Sequence, residues 1–332
     1  MQPQFIHLRM HSEFSVTDST VRLDSAIAQV KDQGVGALGL TDLNNIFGGL
    51  IFYTHARKAG VKPILGCDLV IENSADRDKP YRMAVLCQDK TGYLTLCEHL
   101  SRAWVKNQYL GRGEVKLDWL FEKHDGLIFL SGGPEGILAQ FCLAEKVAEA
   151  HELATKMKTL WGDRFYLELQ RAGRLTDEAV VRHHLNIASH LDIPVVATHP
   201  IQFLGQKDFE PHDIRVCIAR GDVLADKSRP KIYTDQQYLK SPEEMISLFA
   251  DIPSAIANTV EIAKRCNLEK VLNKPCLPLF PTPDGMSLDD YIDQLSHEGL
   301  EQRLNFLYPD AAERDRVRPE YLERLKFELD VI

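Results

Sequence analysis

Short apolar runs alternate with helix-periodic segments along most of this sequence, and no other feature restricts the fold so strongly. Phe5–Met10 places Ile6, Leu8 and Met10 on one face and His7, Arg9 and His11 on the other, the two-residue period of a strand. Ala37–Thr41, Pro63–Ile71, Met83–Cys87, Leu127–Leu130, Phe165–Leu169 and Pro194–Thr198 complete a set of seven candidate strands. Between them, Leu23–Val30, Asn45–Lys58, Gly92–Trp104, Glu145–Trp161 and Asp177–His190 carry apolar residues at helical spacing. This alternation predicts an α/β barrel or a doubly wound sheet. The short link Glu72–Pro80 reads as a hairpin, so a barrel built this way is irregular.

Beyond Phe203 the pattern changes to helices. Ser241-Pro242-Glu243-Glu244 supplies a cap, a proline at the first helical position and acids in the first turn. A further helix is expected over Ser254–Cys266. The proline-rich stretch Lys274–Pro283 marks a boundary, giving expected units 1–273 and 274–332. Ser287–Leu307 and Glu313–Ile332 read as amphipathic helices, and Leu329-Asp330-Val331-Ile332 carries no helix stop, as expected of a piece of a longer chain.

Composition excludes some function classes. No apolar run approaches a membrane span, and Met1-Gln2-Pro3-Gln4 does not open a leader peptide. The seven cysteines are scattered and form no CxxC pair, which fits buried thiols of a cytoplasmic protein. A net charge of −9 argues against a free-standing binder of nucleic acid backbone.

Chemistry in a βα barrel gathers where strands end. Those ends carry His7, Arg9, His11, Ser12 and Glu13; then Asp42 to Asn45; then Asp68, Arg82, Ser131-Gly132-Gly133, and His199 to Gln202. Such oxygen and nitrogen donors could assemble a metal site, although satisfied polar groups at a barrel mouth are commoner. Glu168 and Gln170 could line the same pocket without a catalytic role.

Phe5–Ser15, Leu40–Gly48 and Gly60–Asp68 resemble the first three motifs of the PHP (polymerase and histidinol phosphatase) family. Thr91-Gly92-Tyr93, Gly126–Gly133, Phe165–Leu169, Val195–Phe203 and His212-Asp213 follow in family order. The branch resembled is the one at the N-terminus of bacterial DNA polymerase III alpha subunits, and the likeness runs the length of the chain. It implies a distorted seven-stranded (β/α)7 TIM-like barrel, followed by a short helical start of the polymerase palm. It also implies a replisome setting, a proofreading exonuclease (epsilon) subunit as partner, and DNA contact only through the parent polymerase. Magnesium is implied for the palm and no cofactor for this part.

The departures from the family pattern concern the metal ligands. Where the resemblance implies His-x-His, the chain has Arg9 and His11; where it implies Asp-His, Asp42-Leu43. Asp68 replaces a glutamate, Arg82 a histidine and Gly133 a cysteine or histidine, and the final Asp-x-His is Pro200-x-Gln202. His11, Asp42 and Asp68 survive, with His199 one residue out of place. That is too few for multi-metal phosphoester chemistry. The expectation is a vestigial pocket of Arg9, His11, Asp42, Asp68, Arg82, His199 and Gln202, with no catalytic or metal-binding residue. Arg9 and Arg82 are expected to replace the metals and pair with Asp42 and Asp68. The alternative is a phosphoesterase, a 3′–5′ exonuclease or pyrophosphatase, using His11, Asp42, Asp68 and His199 around one ion.

Overall fold

In the computed structural model, which describes residues 5–226, 228–269 and 277–332, the alternation becomes a curled half-barrel sheet with helices around it. Eight strands are formed among the described residues: β1 (Ala37–Leu40), β2 (Lys62–Ile71), β3 (Tyr81–Cys87), β4 (Gln108–Tyr109), β5 (Arg112–Gly113), β6 (Leu127–Leu130), β7 (Phe165–Gln170) and β8 (Val195–Thr198). The main sheet has the order β1-β2-β3-β6-β7-β8, and β4 and β5 form a separate ribbon. Strand β3 runs antiparallel to β2, as the short Glu72–Pro80 link requires, and to β6, and the other pairs of the main sheet are parallel.

The expected first strand needs correcting, because Phe5–Met10 is not a regular strand and the main sheet has six strands among the described residues. Its backbone bonds are diverted: the Ile6 amide donates to Thr259 Oγ1 (3.1 Å) and the Met10 amide to Thr41 Oγ1 (3.2 Å). The segment still lies beside β1, where the Gly39 amide donates to the His7 carbonyl (2.7 Å). A Cβ at Gly39 would stand 2.4 Å from the Leu8 carbonyl oxygen, so only glycine allows this approach. At its end the His11 amide donates to the Ile201 carbonyl just past β8 (3.1 Å).

Two-residue periodicity divides the strand side chains between two faces. Met83, Val85, Cys87, Leu127, Phe129, Phe165, Leu167, Leu169, Val195 and Ala197 belong to one buried cluster, facing helices such as Lys90–Lys106. Ala84, Leu86, Ile128, Leu130, Tyr166 and Val196 belong to the other. Asp68, Arg82, Glu168, Gln170 and Thr198 have the register of this second set. The sheet's inner face is therefore apolar along its length and ionic at one end. Fully burying each of the large apolar side chains contributes about 1.5–3 kcal/mol, which sets the scale against which the ionic end is held.

The chain divides into two compact units, Met1–Lys270 and Val271–Ile332. The boundary expected at 273 and 274 lies outside the described residues. In the second unit, helices span Leu288–Leu307 and Ala311–Val331, capped by Ser287 and Asp310. Both agree with the helical spacing of their apolar residues.

Candidate functional site at the strand ends

Asp68 sits near the end of β2 and is 1% exposed. Its Oδ2 pairs with the Arg9 guanidinium, and His11 Nε2 lies 3.1 Å from the same oxygen. Arg9 also donates through Nη1 to both oxygens of Glu168, at 3.0 and 3.1 Å. Glu168 is fully buried in β7 and is satisfied from four sides: by Arg9, by the Gly132 amide (3.0 Å), by Gln170 Nε2 (2.9 Å) and by the Thr198 hydroxyl. His11 Nδ1 bonds to Asp18, whose other oxygen takes the Tyr233 hydroxyl. Arg82 stands further off, with Nη1 3.9 Å from Asp68 Oδ2 and without a hydrogen bond.

Charge balance follows from this geometry. Burial disfavours a charged His11, but Asp18 and then Asp68 outweigh it and hold the imidazole up at about 9. Burial likewise opposes ionisation of Asp68 and Asp18, yet Arg9 for the first and His11 for the second hold them well below the usual carboxylate range. Three acids (Asp18, Asp68, Glu168), with Glu135 further off, thus face three bases (Arg9, His11, Arg82).

Asp42 is also 1% exposed, but it is held differently. Its oxygens accept from the Ser12 amide (2.6 Å), the Ser12 hydroxyl (2.8 and 2.9 Å) and the Ser15 hydroxyl (2.6 Å). Burial raises its pKa, and these hydrogen bonds oppose the rise. Neither arginine bonds to it, contrary to the expected pairing. Both turn to Asp68, because the register places Asp68, Arg82 and Glu168 on the sheet's inner face, where Arg9 from the opposite segment meets them.

His199 and Gln202 are not recruited by the carboxylates. His199 Nε2 donates to the Gln236 carbonyl (2.8 Å), and burial keeps its ring neutral with a pKa down at about 3. His7 does the same toward the Lys240 carbonyl (2.8 Å), down at about 4. Gln202 Nε2 lies 3.4 Å from His11 Nδ1, and its Oε1 has no partner. The sequence reading missed Asp18 and Tyr233. They lie in loops that only the fold brings together, and nothing local marks them.

A family model described as "PHP domain" matches residues 7–172. The chain belongs to the PHP family. Relatives match the whole chain: the DNA polymerase III subunit alpha of Neisseria meningitidis serogroup A is 47% identical over 334 residues, and that of Pseudomonas aeruginosa 43% over 333. The chain spans 29% and 28% of the length of these two relatives. Among solved structures, an amidohydrolase from Chromobacterium violaceum matches with a TM-score of 0.43 at 11% identity, covering 63% of this chain and 96% of that one. So distant a likeness says nothing about function.

A metal is what the PHP resemblance implies, and the residues of this PHP domain do not fit one. An ion on Asp68 would have to displace the Arg9 guanidinium and break the Arg9–Glu168 bonds. At Gly133, where the resemblance implies a ligand, a Cβ would lie 2.7 Å from Gln170 Cδ, so the amide of Gln170 fills that space. Among the described residues no group of three or more His, Cys, Asp or Glu side chains is arranged to hold an ion.

Proposed function

We propose that this chain is the N-terminal part of a bacterial DNA polymerase III alpha subunit. In this reading its PHP domain has exchanged catalysis for a structural role. The parent would be a cytoplasmic, DNA-directed DNA polymerase whose magnesium-binding palm carboxylates lie outside these residues. The PHP domain, about 1–273, would be a scaffold on which the proofreading exonuclease subunit docks. Residues 274–332 would begin the palm, and Phe5–His11 would complete the barrel between β1 and the end of β8.

The observation that carries the reading is the Arg9 guanidinium seated between Asp68 and Glu168. A fixed cation with planar donors supplies the charge that a metal would otherwise bring, and it offers no open coordination position to a substrate. The alternative phosphoesterase needs His11, Asp42, Asp68 and His199 around one ion. Here His11 and Asp68 bind each other, Asp42 is taken by serines and His199 by a backbone carbonyl, so no observation favours it.

Metal analysis of the purified chain, an assay on phosphodiester and pyrophosphate substrates, and co-elution with the exonuclease subunit test the proposal together. The expected result is a metal-poor, inert chain that retains the exonuclease. Stoichiometric zinc or manganese with turnover would overturn it.

A further inference from the structure

A cleft of about 350 Å³ opens beside the strand-end cluster, between the start of β3 and the helix Ile137–Leu143. Lys79, Tyr81, Arg82, Glu135, Phe141 and Lys146 line it. Its volume lies within the roughly 300–1,000 Å³ of small-molecule sites. Three of these residues are cations and one is a carboxylate, in a chain whose net charge is −9. The cationic excess is therefore local and runs against the charge of the whole molecule.

These cations make few close ion pairs within the protein, although Asp68, Glu135 and Asp18 all act on the charge of Arg82. Lys146 has no carboxylate within ion-pair reach among the described residues. Lys79, itself exposed, meets only the half-buried Asp76, at 3.3 Å, a kind of pair that is worth little. Arg82 leaves Nη1 without a hydrogen bond, and its ion pair with Asp68 is long, because Arg9 and His11 already occupy that carboxylate oxygen. Beside these groups, Tyr81 and Phe141 meet edge to face with ring centroids 6.2 Å apart. A planar guanidinium with two ammonium groups matches a tetrahedral oxyanion better than it matches a single carboxylate.

We propose that the cleft between β3 and the helix Ile137–Leu143 binds a phosphate oxyanion through Arg82, Lys146 and Lys79. The phosphate is either the free ion or the end group of a nucleotide whose ring reaches Tyr81 and Phe141. This inference does not depend on the polymerase reading.

The test is a titration of the 332-residue chain at low salt with inorganic phosphate, pyrophosphate and thymidine monophosphate. Calorimetry gives affinity, and amide shifts of residues 73–82 and 133–146 give location. Millimolar or tighter binding is expected, weakened about tenfold or more by Lys146→Glu and retained by Lys146→Arg, since the arginine keeps a charged donor at that position. Arg82→Gln should weaken binding similarly, with circular dichroism checking the fold. Thymidine monophosphate binding more tightly than phosphate supports the nucleotide form; equal affinities support the free ion. No binding at millimolar concentration, or binding that Lys146→Glu leaves unchanged, overturns the site.

Discussion

Asp68 and Asp42 are equally buried and lie at the ends of neighbouring elements, yet the chain neutralises them by opposite means. Asp68 is met by formal charge, a guanidinium and an imidazolium. Asp42 is met by dipoles, two hydroxyls and an amide. A full charge is strong but leaves a large debt when removed, whereas a set of dipoles can lose one member and keep the rest. The contrast shows two ways in which protein groups alone can hold a buried carboxylate.

Removing Arg9 is the severest way to break the comparison. Arg9→Ala leaves Asp68 and Glu168 facing each other without their shared cation, and about 3–5 kcal/mol of stability should be lost in chemical denaturation. Arg9→Lys should recover only part of this, because a point charge cannot bond both carboxylates as the fork does. If Arg9→Ala melts like the parent, the guanidinium is not what holds this end of the sheet.

Acidity should distinguish the two carboxylates next. The folded pKa of His11, near 9, lies above its ordinary 6.5, so its contribution is complete below about pH 6.5 and fades as pH rises through 9. The loss reaches about 3 kcal/mol, and His11→Gln should flatten this alkaline arm. His7 and His199 are lowered, so their contribution is complete above pH 6.5 and falls away toward about 4 and 3. Asp18 and Asp68, held below their ordinary 3.8, add a further loss at still lower pH. Stability should therefore peak near pH 6.5 and fall on both sides, as urea midpoints across pH would show.

Smaller effects belong to the Asp42 side and to the periphery. Ser15→Ala removes one of the hydroxyl donors and should cost about 1 kcal/mol, with little change in pH profile. Arg82→Ala should cost clearly less than Arg9→Ala, since its ion pair with Asp68 is long and its Nη1 makes no hydrogen bond. Least of all, a strong chelator should leave the melting temperature where it is, measured by differential scanning fluorimetry. A large drop on chelation would mean that a bound metal stabilises the folded chain.

Legibility in the sequence followed locality. The strands read from short apolar runs and the helices with clear apolar stripes lie close to their expected limits. The capping box at Ser241 and Glu244 is formed as the local pattern predicts. The helix Phe209–Arg220 escapes the sequence pattern because its apolar residues do not make one buried stripe: Val216 is buried while Ile218 is 77% exposed. Phe5–Met10 alternates correctly, but its amides bond to threonine hydroxyls, which no periodicity can reveal. At the site, register alone could have put Glu168 with Asp68 and Arg82. The role of Asp18 depends on a loop path and on Tyr233, 215 residues away along the chain, and was not legible.

The ionic cluster joins residues 9, 11, 18, 68, 82, 168 and 233, so it cannot exist until nearly the whole first unit has come together. Contacts of such sequence separation carry a large loop-closure cost and form late in folding. Interactions absent from the folding transition state act mainly on the rate of escape from the native state. Arg9 should then behave as a latch: its loss would hasten unfolding while leaving the rate of folding nearly unchanged.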